Sequence, residues 1–111
     1  MKAQVIHCKL KGSKVVSADL SDAQFFYADM TDANLSSSSL EKCNLSYADL
    51  TRARLDGIKG RYLDVSLVTL RATSFKKADL REAQFVFNYY LDEADLSTAD
   101  LTGSTTIRRS P

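Results

Sequence analysis

Residues 18–50 read ADLSDAQFFYADMTDANLSSSSLEKCNLSYADL, and every fifth position of this stretch is large and apolar: Leu20, Phe25, Met30, Leu35, Leu40, Leu45 and Leu50. Two residues before each lies a small one: Ala18, Ala23, Ala28, Ala33, Ser38, Cys43 and Ala48. Outward from this stretch, the large series runs back through Val15, Leu10 and Val5 and forward to Leu55. It then meets Gly60, resumes at Val65, Leu70, Phe75, Leu80 and Phe85, slips by one residue and continues at Leu91, Leu96 and Leu101. The small series keeps phase with it, from Ala3 and Cys8 to Ala94 and Ala99.

A period of five suits neither standard element. In an α-helix each step of five advances about 140° beyond a full turn, which would scatter the leucines over every face. In a continuous strand, residues five apart point to opposite faces. The chain must therefore turn within each repeat, so that both series point inward from short extended segments. Small residues at the second series leave room for the turning backbone. The Asp or Asn between the two series has a short side chain that bonds nearby backbone groups, as a turn requires.

The triplets Ala18-Asp19-Leu20, Ala28-Asp29-Met30, Ala33-Asn34-Leu35, Cys43-Asn44-Leu45, Ala48-Asp49-Leu50, Ala78-Asp79-Leu80, Ala94-Asp95-Leu96 and Ala99-Asp100-Leu101 resemble the consensus of the pentapeptide-repeat family. The resemblance covers residues 3–103. It implies an all-β fold, a right-handed quadrilateral β-helix with four repeats per coil. One solenoid domain would then span residues 1–111, with residues 104–111 as a C-terminal tail. About five coils, at ~4.8 Å between stacked strands, would make a rod about 24 Å long.

The pattern is broken twice. Around Ile58, Gly60, Leu63, Val65 and Val68, large residues stand at small positions and Gly60 at a large one, so Ile58 and Gly60 read as an exchange of volume. Between Phe85 and Leu91 one extra residue must be absorbed, and a bulge at a corner is expected.

Composition and motifs argue against catalysis. His7 is the single histidine, so imidazoles cannot pair to hold a metal or relay protons. There is no Gly-rich phosphate loop and no nucleophile elbow. The many aspartates recur because the repeat uses them. Cys8 and Cys43 fall at inward small positions, where buried thiols are inert. With the coil length that the resemblance implies, they lie on different faces and more than one coil apart, which disfavours a disulfide. The expectation is a protein that is not an enzyme, with no cofactor and no metal site. No apolar run is long enough for a membrane helix, and Met1 to His7 lack the apolar core of a secretory signal, so a cytoplasmic location is expected. Ser36 to Ser39 stay in phase between Leu35 and Leu40 and read as an ordinary coil segment rather than a linker.

The net charge of +1 does not nominate nucleic acid as a partner. The charge is nevertheless banded: acidic from Val15 to Leu50, basic from Thr51 to Arg81, and acidic from Glu82 to Leu101. Outward residues read every twenty place His7, Tyr27, Tyr47, Leu67 and Phe87 above one another, with Ile6, Phe26, Ser46, Ser66 and Val86 beside them. Such a stripe serves either coil-to-coil stacking or an interface, and the two uses are compatible. At the C-terminal end Ile107 is expected to plug the last coil, with Arg108, Arg109 and Pro111 discouraging further pairing; otherwise that end would dock on a second copy, giving a homodimer.

The leading expectation is an interaction scaffold that contacts another protein through Phe26, Tyr27, Tyr47, Leu67 and Phe87. The family resemblance supplies an alternative: some pentapeptide-repeat proteins mimic duplex DNA and bind type II topoisomerases such as DNA gyrase, giving quinolone resistance or toxin immunity. Here the middle of the chain is basic, whereas a DNA mimic should present acids continuously. A basic patch of Arg52, Arg61, Arg71 and Arg81, binding nucleic acid directly, is a third and weaker reading.

Overall fold

The computed structural model describes residues 7–109. Ala3, Val5, Ile6 and Pro111, which the sequence analysis assigns, lie outside them. Each five-residue repeat makes one short extended segment and one tight turn. The N–H of the small residue donates to the carbonyl of the preceding large one, as from Ala23 to Leu20 (3.1 Å), Ala28 to Phe25 (3.2 Å) and Ala33 to Met30 (3.0 Å). The third residue of each such turn has a positive φ, as at Asp22 (65°), Tyr27 (59°) and Asp32 (61°), which is the signature of a type II turn.

Repeats stack through single parallel bridges. Lys9 pairs with Asp29, Lys14 with Asn34, and so on up the chain to Thr69 with Tyr89, each residue meeting the one twenty positions later. A turn every five residues and a pairing every twenty give four sides to each coil. The long-range ladder explains why these segments stay extended although each is too short to be a strand alone. The N–H of Leu20 reaches up to Ser39 O at 2.8 Å, and the N–H of Ser39 reaches down to Ala18 O at 2.8 Å.

The large and small series form one continuous core. Met30, Leu35, Leu40, Leu45, Leu50, Leu55, Leu70 and Leu80 are fully enclosed. Each contributes about 1.5–3 kcal/mol relative to exposure. Phe75 and Phe85 meet edge to face, with ring centres 6.1 Å apart.

The Ile58 and Gly60 exchange is visible directly. A Cβ on Gly60 would lie 3.2 Å from Ile58 Cδ1, 3.1 Å from Leu80 Cδ2 and 3.2 Å from the Asp79 carbonyl oxygen. Ile58 thus occupies the space that a large residue at position 60 would need.

The extra residue sits at a corner, as expected. Above it the pairing offset grows by one, with Ser74 meeting Asp95 and Asp79 meeting Asp100. Strand β1 (Gln84–Val86) pairs in parallel with β2 (Thr105–Ile107) at the same offset, Gln84 opposite Thr105. The insertion is taken up at Tyr90, whose backbone is left-handed (φ 58°), just before a single 3-10 turn at Leu91–Glu93.

The C-terminal end corrects one expectation. Ile107 does not plug the core: it stands in β2, opposite Val86, and is 46% exposed. Val86 occupies an outward position, and the pairing register carries that orientation to Ile107. Leu91, Leu96 and Leu101 in the last coil are only partly buried, as are Cys8, Leu10, Val15 and Leu20 in the first.

Candidate functional site

The stripe read from the sequence lies along one corner of the solenoid. His7, Tyr27, Tyr47, Leu67 and Phe87 all hold the left-handed turn position, with φ between 53° and 64°. At this position the Cα–Cβ bond points away from the core, so the side chains can meet only along the coil axis. The first three rings do so: His7 and Tyr27 are 5.0 Å apart with planes 14° from parallel, and Tyr27 and Tyr47 are 4.7 Å apart at 10°. Their faces cover one another while their edges face water, leaving Tyr27 50% and Tyr47 48% exposed. Leu67 is half-buried and ends the run of rings, and Phe87 stands exposed beyond it. Phe26 is half-buried beside Tyr27.

The four arginines read as a patch are not brought together. Arg61 and Arg81 are twenty residues apart and share one corner, while Arg52 and Arg71 occupy the corner diagonally opposite. Two are also neutralised by acids. Arg52 makes a two-pronged ion pair with Asp32 (2.8 and 3.0 Å), and Arg81 one with Asp79 (2.8 and 2.8 Å). The hydrogen bonds from these guanidiniums hold the Asp32 and Asp79 carboxyls below the usual carboxylate range. Arg71 instead lies over the Tyr90 ring at 4.0 Å, and Arg61 lies 5.4 Å from the Tyr62 ring centre.

The Arg71 contact belongs to a feature that the five-residue pattern does not reveal. Tyr89 stands next to the inserted Tyr90, both are exposed, and Arg109 lies over Tyr89 at 4.1 Å. The doublet falls where the period breaks, so no phase assigned either ring a direction. The break itself was the available signal.

The thiols are free and poorly suited to nucleophilic chemistry. Burial pushes Cys43 up to about 12, and its Sγ lies 2.8 Å from Leu20 O, to which the thiol donates. Cys8 is only half-buried rather than enclosed, because no coil lies beneath it among the described residues; partial burial still raises its pKa. Among the described residues no group of three His, Cys, Asp or Glu side chains could hold a metal ion. No helix there is long and apolar enough to cross a membrane.

The model for pentapeptide repeats matches residues 3–41, 18–57 and 66–103, with 8 copies. The chain belongs to the pentapeptide repeat family. The unmatched residues 58–65 contain the Ile58 and Gly60 exchange.

Among curated proteins none matches this pentapeptide repeat chain. Similar solved structures include HetL, a pentapeptide repeat protein involved in heterocyst differentiation regulation in the cyanobacterium Nostoc. It is 23% identical, with TM-score 0.44 and coverage of 92% of this chain and 60% of HetL. A pentapeptide repeat protein of the Arabidopsis thaliana thylakoid lumen is 20% identical, with TM-score 0.46 and coverage of 93% and 60%. A trypsin-treated form of QnrB1, a plasmid-mediated fluoroquinolone resistance protein, is 19% identical, with TM-score 0.43 and coverage of 94% and 74%. The chain thus spans 60% of the length of the first two.

Proposed function

We propose that this pentapeptide repeat protein is a non-catalytic scaffold, a right-handed solenoid of about five coils that binds another protein through the corner carrying Tyr27, Tyr47 and Phe87. The observation that carries the reading is the Tyr27–Tyr47 stack, with rings 4.7 Å apart and both side chains about half exposed. A left-handed backbone costs a non-glycine residue about 1–2 kcal/mol. Ring stacking returns about 0.5–1.5 kcal/mol per pair. Stacking therefore offsets the backbone cost at best, and leaves apolar ring edges that a partner can cover. Phe26 widens this surface beside Tyr27, and Leu67 continues it beyond Tyr47.

The free, high-pKa thiols favour a protein without nucleophilic chemistry and fit a reducing cytoplasm. The test is capture and identification of the partner with the wild-type chain and with Tyr47→Asp, alongside thermal melts of both. The variant should melt as a folded coil and lose the partner. Equal capture by both chains would make the stripe purely structural.

The gyrase-directed DNA mimic is the alternative that the family suggests. It is disfavoured by Arg54, Lys59, Arg61, Arg71 and Lys76 in the middle of the chain, where a DNA mimic needs acids. In a gyrase supercoiling assay with a quinolone, the chain should give no protection, and protection would reverse the order of the two readings.

A further inference from the structure

We infer that the partner of the aromatic corner is a basic amphipathic α-helix, laid along the solenoid axis with its apolar stripe on the rings and its cations on either side. The inference rests on the reading of that corner as an interface and names the chemistry that fits it.

Charge selects the sign of the partner. The corner separates two sides of the coil. Across the three coils through Tyr27, Tyr47 and Leu67, one side presents Gln24, Asn44 and Asp64 and the other Asp29, Asp49 and Thr69. Both sides therefore carry carboxylates and neither carries a cation at this height. None of these carboxylates makes an ion pair among the described residues. Each uses one oxygen on its own turn: Asp29 accepts from the Thr31 N–H (3.1 Å), Asp49 from that of Thr51 (3.0 Å) and Asp64 from that of Ser66 (2.9 Å). The second oxygen of each is left for a partner. An acidic peptide, a nucleic-acid backbone or an anionic membrane would set like charge against these flanks, whereas cations complete them.

Spacing selects the helix. The rings repeat along the corner at 5.0 Å from His7 to Tyr27 and 4.7 Å from Tyr27 to Tyr47. An α-helix repeats its apolar stripe about every 5.4 Å, while an extended chain presents alternate residues about every 6.7 Å. Over the three coils from Tyr27 to Phe87, a helix drifts about 2 Å out of register and an extended chain about 6 Å. Leucine and lysine side chains absorb the first drift, but the second exceeds the spacing between rings. Backbone pairing cannot rescue an extended partner either. The corner's own N–H groups are already bonded from coil to coil, Tyr27 to Ser46 O (3.1 Å) and Tyr47 to Ser66 O (3.3 Å). A helix satisfies its own backbone and asks only for side-chain contact.

Titration of the full chain with a synthetic peptide, followed by amide NMR shifts, tests this. The peptide has about four helical turns, one stripe of leucines and lysines on both flanks of it. Shifts should gather at Tyr27, Tyr47 and Leu67, and affinity should fall as salt is raised. Asp29→Asn/Asp49→Asn/Asp64→Asn, which keeps an acceptor oxygen for each turn, should weaken binding roughly tenfold. Tyr27→Ser/Tyr47→Ser should abolish it, and circular dichroism melts establish that both variants are folded. Two control peptides decide the matter without any change to the chain: one with glutamates for lysines, one with the same residues in scrambled order. Absence of binding by the leucine–lysine peptide, or equal binding by either control, would overturn the inference. A wild-type dimer that the serine variant dissolves would make a second copy the occupant and overturn it too. With the captured natural partner, loss on Tyr47→Asp but not on the triple asparagine change would overturn this inference alone. Capture unaffected by either change would overturn the reading of the corner with it.

Discussion

At the residue scale, the fold is decided by two kinds of position, one inward and one at the corner. The corner position demands a left-handed backbone of whatever residue occupies it, and Ser17, Lys42, Arg52, Ala72 and Lys77 all comply. Only the coil's hydrogen bonds can hold them there. Ala72 is exposed at φ 53°, so Ala72→Gly removes the Cβ conflict and loses no packing. It should raise stability by about 1 kcal/mol, measured as an increased urea midpoint at unchanged slope. The inward position makes the opposite prediction at Gly60. Gly60→Leu should destabilise by about 1–3 kcal/mol through overpacking. Ile58→Ala in the same chain should recover most of that loss, a coupling that a double-mutant cycle reads directly.

At the scale of the repeat, the backbone leaves one N–H without a partner, that of the residue after each large one. The Asp or Asn two residues earlier accepts it: Asp19 from Ser21 (3.0 Å), Asp29 from Thr31 (3.1 Å), Asn34 from Ser36 (3.1 Å) and Asp100 from Thr102 (3.0 Å). The sequence showed that a turn-bonding residue belonged there, while the structure shows which donor it serves. Inward polar residues follow a second rule. The hydroxyls of Ser38 and Thr73 donate to Val15 O and Leu50 O, each at 2.7 Å, quieting a carbonyl one coil below. These turn bonds carry a pH dependence. Hydrogen bonds from Ser21, Thr31, Ser97 and Thr102 lower the pKa of Asp19, Asp29, Asp95 and Asp100. The unfolded chain therefore binds protons first, and this stabilisation is complete above the ordinary carboxylate value of about 3.9 and lost as pH falls through the lower folded values. The urea midpoint should drop between pH 5 and pH 2, and Asp29→Asn, which keeps the acceptor oxygen, should shallow that drop.

At the scale of the whole molecule, extents of 33 × 24 × 21 Å describe a squat rod in which a coil contacts only its neighbours. Stability then adds nearly coil by coil, and the ends are the weakest part. Leu50 is fully enclosed between two coils, whereas Leu101 is partly open. Leu50→Ala should cost about 2–5 kcal/mol, and Leu101→Ala distinctly less. Amide exchange should accordingly be slowest near Leu45 and Leu50 and fastest in the first and last coils.

The period, the two inward series, the family and the direction of nearly every side chain follow from the order of residues alone. Each of these is a one-dimensional repeat whose phase can be counted. That order also placed His7, Tyr27 and Tyr47 in one line, because pairing twenty residues apart turns spacing into contact. What depends on distance around the coil or on local loss of phase was set by the folded structure. It separated Arg61 and Arg81 from Arg52 and Arg71 by a diagonal, and paired Arg52 and Arg81 with Asp32 and Asp79. It turned Ile107 outward and set Arg71 and Arg109 over Tyr90 and Tyr89. Where the repeat breaks or ends, a residue's direction is set by neighbours that exist only once the coil has closed.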